Sequence, residues 1–383
     1  MTDAVELLQA LVATPSPSRH EGNASALLVK WMGDHGFEAD IDGAGNAVGS
    51  RGAGPREILL LGHIDTFPGE VPVRVEDGKL YGRGTVDAKG PLAAFAVAAS
   101  RVRIPEGWRV IVVGAVEEEY WTSRGARHVV ETWGSRPPPV AVVVGEPSRW
   151  DRITLGYRGS VEVGVRVRVP FAHSAGQTPL PAERTVELWQ AIQAFVISRN
   201  EGRAGAEFER FSAALRSIRT QSVGTFGLGE LVVGLRLPPG ARLAGVTQEL
   251  RSHLMAQVEG WNADGAAIRL RFRGGQEAYK ASKETPLVAA FLRAIRAEGG
   301  QPRFVTKTGT ADLNVVGPVW PAVPMAVYGP GDSALDHTPG EHVVIEEYET
   351  AIRVLVGTLE GLMMDSRLIG TDGTTGRRDD GKA

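Results

Sequence analysis

Leu59-Leu60-Leu61-Gly62-His63-Ile64-Asp65 is the stretch from which the fold of this chain is read. A short aliphatic run that ends in a polar residue has the length and composition of a buried strand. If the chain stays extended, side chains two residues apart share a side, so His63 and Asp65 face the same way. A histidine that gives one ring nitrogen to a metal usually gives the other N–H to an acceptor, and a nearby carboxylate can serve. The same residues also fit a strand end carrying two solvated polar groups. The flanking stretches choose between the two readings.

Downstream, Glu76-Asp77-Gly78-Lys79-Leu80-Tyr81 reads as a hairpin with an Asp-Gly turn. Gly82-Arg83-Gly84-Thr85-Val86-Asp87-Ala88-Lys89-Gly90 then leads into an apolar helix over Pro91–Val102. Arg109–Val116 reads as a buried strand followed by Glu117, Glu118 and Glu119, and Val140–Val144 as another, followed by Gly145-Glu146-Pro147. Upstream, helices are expected over Asp3–Ala13 and about Asn23–Met32. Gly43-Ala44-Gly45-Asn46 lacks the third glycine of a dinucleotide loop and is followed by strands, so no nucleotide site is read there. Strands alternating with helices predict an α/β fold with a mixed, mostly parallel sheet flanked by helices.

The pattern changes near Gly159. Val161, Val163, Val165, Val167 and Val169 alternate with Glu162, Arg166 and Arg168, which predicts a half-exposed antiparallel strand. Helices near Pro181–Ile197 and Thr247–Val258 and strands near Gly229–Leu237 and Ala267–Phe272 complete an inserted α+β block. The α/β style resumes near Ser282, with a helix to Ala297, strands near Arg303 and Pro324–Val327, and a last helix over Val344–Leu362. The expected division is a catalytic domain over 1–158 and 278–365, an inserted domain over 159–277, and a disordered tail over 366–383.

Composition narrows the function. At 383 residues the chain is long for one core. A net charge of −3 gives no case for nucleic acid or a membrane surface. The absence of cysteine excludes disulfides, thiolate nucleophiles and zinc–sulfur sites. No signal peptide is read at the N-terminus and no apolar run is long enough to span a bilayer, so a cytoplasmic enzyme is expected. No Ser-x-x-Lys or Gly-x-Ser-x-Gly occurs, which argues against a serine hydrolase even though Lys307-Thr308-Gly309 matches one short element of that chemistry.

The polar residues at predicted strand ends are His63, Asp65, Asp87, Glu117, Glu118, Glu119 and Glu146. Asp336-His337-Thr338-Pro339-Gly340-Glu341 adds a histidine before the last helix, where Glu341 could also be a helix cap. Histidines and carboxylates without cysteine suit zinc, cobalt or manganese. Two such ions bridged by a carboxylate would polarise a carbonyl and activate a water, with a further carboxylate as base. Neighbouring glutamates on an extended segment point to opposite sides, so one could bind metal while the other reaches the water.

Gly-His-x-Asp at 62–65, Gly-Arg-Gly-x-x-Asp-x-Lys-Gly at 82–90, Glu-Glu at 117–118, Gly-Glu-Pro at 145–147 and Asp-His-x-Pro-x-Glu at 336–341 resemble, in order, the motifs of the di-zinc amidohydrolases. That family includes acetylornithine deacetylases, succinyl-diaminopimelate desuccinylases and carboxypeptidase-G-type enzymes. The resemblance implies that His63 and Glu146 bind one ion, Glu118 and His337 the other, and that Asp87 bridges them. It implies Asp65 as the residue orienting His63 and Glu117 as the base. It also implies that the inserted block is a lid and dimerisation domain whose His173 crosses to the partner's site in a homodimer. Two divalent ions per subunit, Zn2+ or Co2+, follow from it.

This chain departs from the family spacing after the acidic triplet, so a shifted register with Glu118 as base and Glu119 as ligand is the alternative. Within the family the chain is most similar to the branch of LysW-lysine and LysW-ornithine hydrolases, through 62–69, the acidic triplet and 307–314. That likeness implies release of lysine or ornithine from the terminal glutamate of an acidic amino-group carrier protein. Lys307, Thr308 and Gly309 are then candidates to hold the α-carboxylate, and arginines of the inserted block a basic rim. Deacetylases, desuccinylases and carboxypeptidases of the family, and a non-catalytic metal- or amino-acid-binding relative, are the competing expectations.

Overall fold

The computed structural model describes residues 2–170, 179–259, 261 and 265–369. Its larger sheet has nine strands. The four at its heart, Trp108–Ala115, Arg56–His63, Ala141–Gly145 and Met325–Val327, lie side by side and parallel. Antiparallel pairs, among them Glu38–Ile41 with Ala47–Arg51 and Tyr279–Lys280 with Arg152–Tyr157, extend it at both margins. This is the mixed, mostly parallel sheet that the alternation of strands and helices predicts.

Leu59, Leu60 and Leu61 are all fully buried, each worth about 1.5–3 kcal/mol relative to exposure. The helix Lys89–Arg101 lies against these strands and is buried on every side from Lys89 to Ala99. Its close approach needs glycine on the sheet: a Cβ at Gly145 would meet Phe95 at 2.9 Å. The long helix Ile345–Met363 packs against Lys89–Arg101.

Register brings the strand ends level. His63 pairs with Ala115, Gly62 with Gly145, and Val327 with Val144. Whatever follows each strand therefore emerges at one edge, the carboxyl edge where open α/β sheets keep their sites.

The second sheet is antiparallel, in the order Ser212–Val223, Phe226–Leu237, Gly159–Pro170 and Ala267–Gln276. The five alternating valines of Gly159–Pro170 are buried and form a separate core with residues of the helices Pro181–Asn200 and Leu243–Glu259. The strand Ser212–Val223 has no counterpart in the sequence reading. It has no buried residue and so shows no apolar alternation. The helix Arg124–Trp133 also went unread. Ser366–Ile369 is a short helix, so the tail expected to be disordered begins with ordered structure.

Candidate active site

His63 closes its strand almost fully buried. Its Nδ1 lies 3.0 Å from the Asp65 backbone oxygen and 3.5 Å from Asp65 Oδ1. Its Nε2 lies 3.1 Å from Asp87 Oδ1 and 3.9 Å from Glu146 Oε1. On the other side of the same aspartate, His337 Nε2 lies 3.0 Å from Asp87 Oδ2 and 2.8 Å from Glu119 Oε1. Two triads thus share one carboxylate. In His63–Asp87–Glu146 and in Asp87–Glu119–His337, one ligand atom per residue lies within 4.8 Å of the others. The Phe67 ring stacks on His337 with centroids 4.2 Å apart.

The acidic triplet departs from the extended geometry assumed for it. Glu117 has φ of 59°, a left-handed turn that ends the strand and breaks the alternation of side chains. Its carboxylate turns away from the triads, accepting a 2.5 Å hydrogen bond from Thr122 and lying 3.6 Å from Arg124. Glu119, not Glu118, is the carboxylate that meets His337. Glu118 lines the cleft between the triads and the second sheet. The geometry therefore matches the shifted register, with Glu118 and Glu119 in the places first given to Glu117 and Glu118.

Asp65 is fully buried and fixes this turn. Its Oδ1 accepts the Glu118 N–H and its Oδ2 the Glu119 N–H, each at 3.0 Å, and Oδ2 also accepts the Ser18 hydroxyl at 2.7 Å. Glu341 is no helix cap; Val344 occupies that position. Its fully buried carboxylate accepts the N–H groups of Gly84, Val86 and Asp87 at 2.9, 3.0 and 3.2 Å and pairs with Arg83. The Asp87–Ala88 peptide is cis.

Electrostatics fit a cation. Burial pushes the carboxyl groups of Glu118 and Glu146 well above the usual range, and neighbouring carboxylates push them further. Burial opposes a charge on His63, yet hydrogen bonds to Asp65 and Asp87 hold its pKa well above normal. Hydrogen bonds to Asp87 and Glu119 raise His337 to about 10. Clustered carboxylates in a low-dielectric pocket repel one another, and shared protons or bound cations relieve that repulsion. With Nδ1 of His63 committed to Asp65, Nε2 is the nitrogen left to face the carboxylates. Nitrogen and oxygen donors without sulfur match divalent zinc-like ions, and the residues present fit such ions.

The cleft beside the triads encloses about 640 Å3. Lys307, Thr308 and Gly309 line it, with the Lys307 ammonium against the Ser333 hydroxyl and the Thr308 carbonyl accepting Arg158 Nε at 3.0 Å. The sequence reading named no individual residue on the opposite wall, where the second sheet contributes Arg216, Arg236 and Arg273. Arg236 Nη1 reaches Thr310 Oγ1 at 3.3 Å. Burial, with Arg216 and Arg158 nearby, pushes its pKa below the usual arginine value, so an incoming anion is favoured there. The signal available in the sequence was a cation interrupting the apolar run Leu231–Leu237. His173 lies outside the described residues. His342 belongs to neither triad; its Nδ1 lies on the Gly340 carbonyl.

The model of peptidase family M20/M25/M40 matches residues 59–361. The chain belongs to peptidase family M20/M25/M40. Among its M20 relatives, the LysW-lysine hydrolase of Deinococcus radiodurans is 40% identical over 94% of this chain and 97% of its own length. In structure, the di-peptidase Dug1p of Saccharomyces cerevisiae superposes with a TM-score of 0.77 at 14% identity, covering 95% of this chain and 96% of its own. A Bacillus subtilis dinuclear metal binding peptidase from the M20 family superposes with a TM-score of 0.65 at 13% identity, covering 94% and 96%. The chain is thus an M20 hydrolase with ligand sets for divalent metal ions.

Proposed function

We propose that this chain hydrolyses the amide joining lysine or ornithine to the terminal glutamate of an acidic amino-group carrier protein, releasing the free amino acid. The observation that carries the reaction type is the single Asp87 carboxylate shared by two His–carboxylate triads. The substrate rests on the likeness to the LysW-lysine hydrolase over nearly the whole chain. In this reading His63 and Glu146 hold one divalent ion, Glu119 and His337 the other, and Asp87 both, with Zn2+ or Co2+ as the metal.

When bound, the ion pair supplies Lewis-acid polarisation of the amide carbonyl and lowers the pKa of water. Glu118 holds the proton taken from the attacking water and returns it to the departing α-amine. Burial and the neighbouring carboxylates raise its pKa, the direction that favours a group that must accept a proton. Arg236, with Lys307 across the cleft, takes the α-carboxylate of the released amino acid. Arg216 and Arg273 give the acidic carrier a basic wall. Residues 159–277 form the lid and dimerisation domain, and His173 of a homodimer's partner steadies the oxyanion. A cytoplasmic location goes with this biosynthetic role.

The test is turnover by purified enzyme with Zn2+ or Co2+ on carrier-linked lysine and ornithine, beside acetylornithine, succinyl-diaminopimelate and free dipeptides. Strong turnover of a dipeptide with none of a carrier-linked amide would reject the substrate.

A further inference from the structure

His337 and Asp87 lie on loops 250 residues apart in sequence, yet their side chains must face each other to within a few tenths of an ångström if both are to hold one ion. Neither loop is a strand of the large sheet. Some other element has to set one against the other.

Glu341 is built to do so. It sits four residues after His337 on the same loop, and its carboxylate gathers the backbone of the loop that carries Asp87. Oε1 accepts the N–H groups of Gly84 at 2.9 Å, Val86 at 3.0 Å and Asp87 itself at 3.2 Å. Oε2 takes Arg83 Nη1 at 2.7 Å, and Arg83 Nε is anchored on the Gly69 carbonyl at 3.0 Å. The backbone continues the join. Gly82 donates to the Glu341 carbonyl at 3.3 Å, and His342–Val344 pairs antiparallel with Lys79–Tyr81. Gly84 has φ of 90°, and a Cβ there would meet Thr66 at 2.9 Å, so the loop can wrap this closely around the carboxylate.

We infer that Glu341 is a positioning residue for the metal centre: it registers the Asp87 loop against the His337 loop, so that Asp87 is presented to both triads. This rests on the two-ion reading above. A carboxylate accepting several backbone N–H groups is a rigid clamp, because each donor would otherwise be buried without a partner. Partners of this kind typically change metal affinity about 10–100-fold when removed.

The experiment titrates Zn2+ into metal-free full-length protein against a chelating dye, for the wild type, Glu341→Ala and Glu341→Gln, with melting of the metal-free forms alongside. Glu341→Gln keeps an acceptor for the N–H groups but sets an amide NH2 against Arg83. The expected result is a loss of about 10–100-fold in affinity for at least one ion in Glu341→Ala. A smaller loss is expected in Glu341→Gln, whose metal-free melting stays near wild type. Wild-type affinity for both ions in folded Glu341→Ala overturns the inference. If that variant does not fold, wild-type affinity in Glu341→Gln overturns it, and weakened affinity supports it. A wild-type protein that binds no ions would instead remove the two-ion reading itself, so the two failures are distinct.

Discussion

Asp65 holds Glu118 by its backbone: the Glu118 N–H donates to Asp65 Oδ1 at 3.0 Å, while the Glu118 side chain remains in the cleft. The same carboxylate takes the Glu119 N–H and stands beside the His63 ring. One buried aspartate thereby sets His63 against the turn that carries Glu118 and Glu119, the base and a metal ligand in the function proposed above. Asp65→Ala leaves two N–H groups short of an acceptor, at about 1–3 kcal/mol each. Metal affinity and kcat should both fall at least tenfold, and the metal-free melting temperature should drop. Dye-competition titration and calorimetry measure these; an Asp65→Ala protein with unchanged kcat would contradict the arrangement.

The three consecutive glutamates should separate cleanly. Glu117→Gln is expected to keep activity within about threefold, since its carboxylate faces Thr122 and Arg124. Glu118→Gln should lose about 10²–10⁴-fold in kcat while still binding two ions. Glu119→Gln should bind one ion tightly and the second weakly. Metal content by mass spectrometry after dialysis, read with kcat, distinguishes the three, and a fully active Glu118→Gln would reject its role as base.

Arg236 bears on substrate affinity. Arg236→Met removes a charge-assisted contact worth about 1.5–3 kcal/mol, so KM should rise about 10–100-fold at nearly constant kcat. Metal affinity should not move. Initial-rate kinetics decide it, and a loss confined to kcat would place Arg236 elsewhere in the cycle.

Metal binding should release protons. Hydrogen bonds to Asp87 and Glu119 hold His337 near pKa 10 in the metal-free protein, above its ordinary value of about 6.5. The charged imidazole therefore stabilises the metal-free fold below about pH 6.5, and that contribution is lost as pH rises through about 10. A cation must displace that proton, so affinity at the Asp87–Glu119–His337 triad should rise with pH across the neutral and mildly alkaline range. Titration in two buffers of different ionisation heat counts the protons. His337→Gln should abolish the pH dependence along with tight binding of that ion, and a pH-independent affinity in the wild type would refute the linkage.

Chelation should lower the melting temperature of the wild type. An ion that binds only the folded state stabilises by about 2.7 kcal/mol at a hundredfold excess over Kd. The shift should shrink in Glu119→Gln.

Local pattern carried much of this fold. The leucine run before His63, the valines from Val161 to Val169 and the amphipathic helices announce themselves because burial on one face imposes a period of two or 3.6 residues. Ser212–Val223 escaped because it lies almost wholly in the open and has no apolar period to show. His63, Asp87, Glu146 and His337 could be singled out in the sequence because a polar residue closing an aliphatic strand, or placed in a loop motif, stands out from its neighbours.

The sequence by itself determined which chemistry was available: histidine and carboxylate donors, no thiols, and strands that end in acids. Tertiary structure alone decided where each glutamate lies: Glu119 meets His337, Glu118 lines the cleft, and Glu117 faces Thr122 and Arg124. A left-handed residue at Glu117 rotates the triplet by one position, and that φ is set by contacts with Glu21 and Asp65, distant in sequence. It likewise decided that Glu341 serves Asp87 rather than the adjacent helix. Residue type and spacing report local periodicity, whereas the pairing of a buried carboxylate with N–H groups across the chain exists only once the chain has closed on itself.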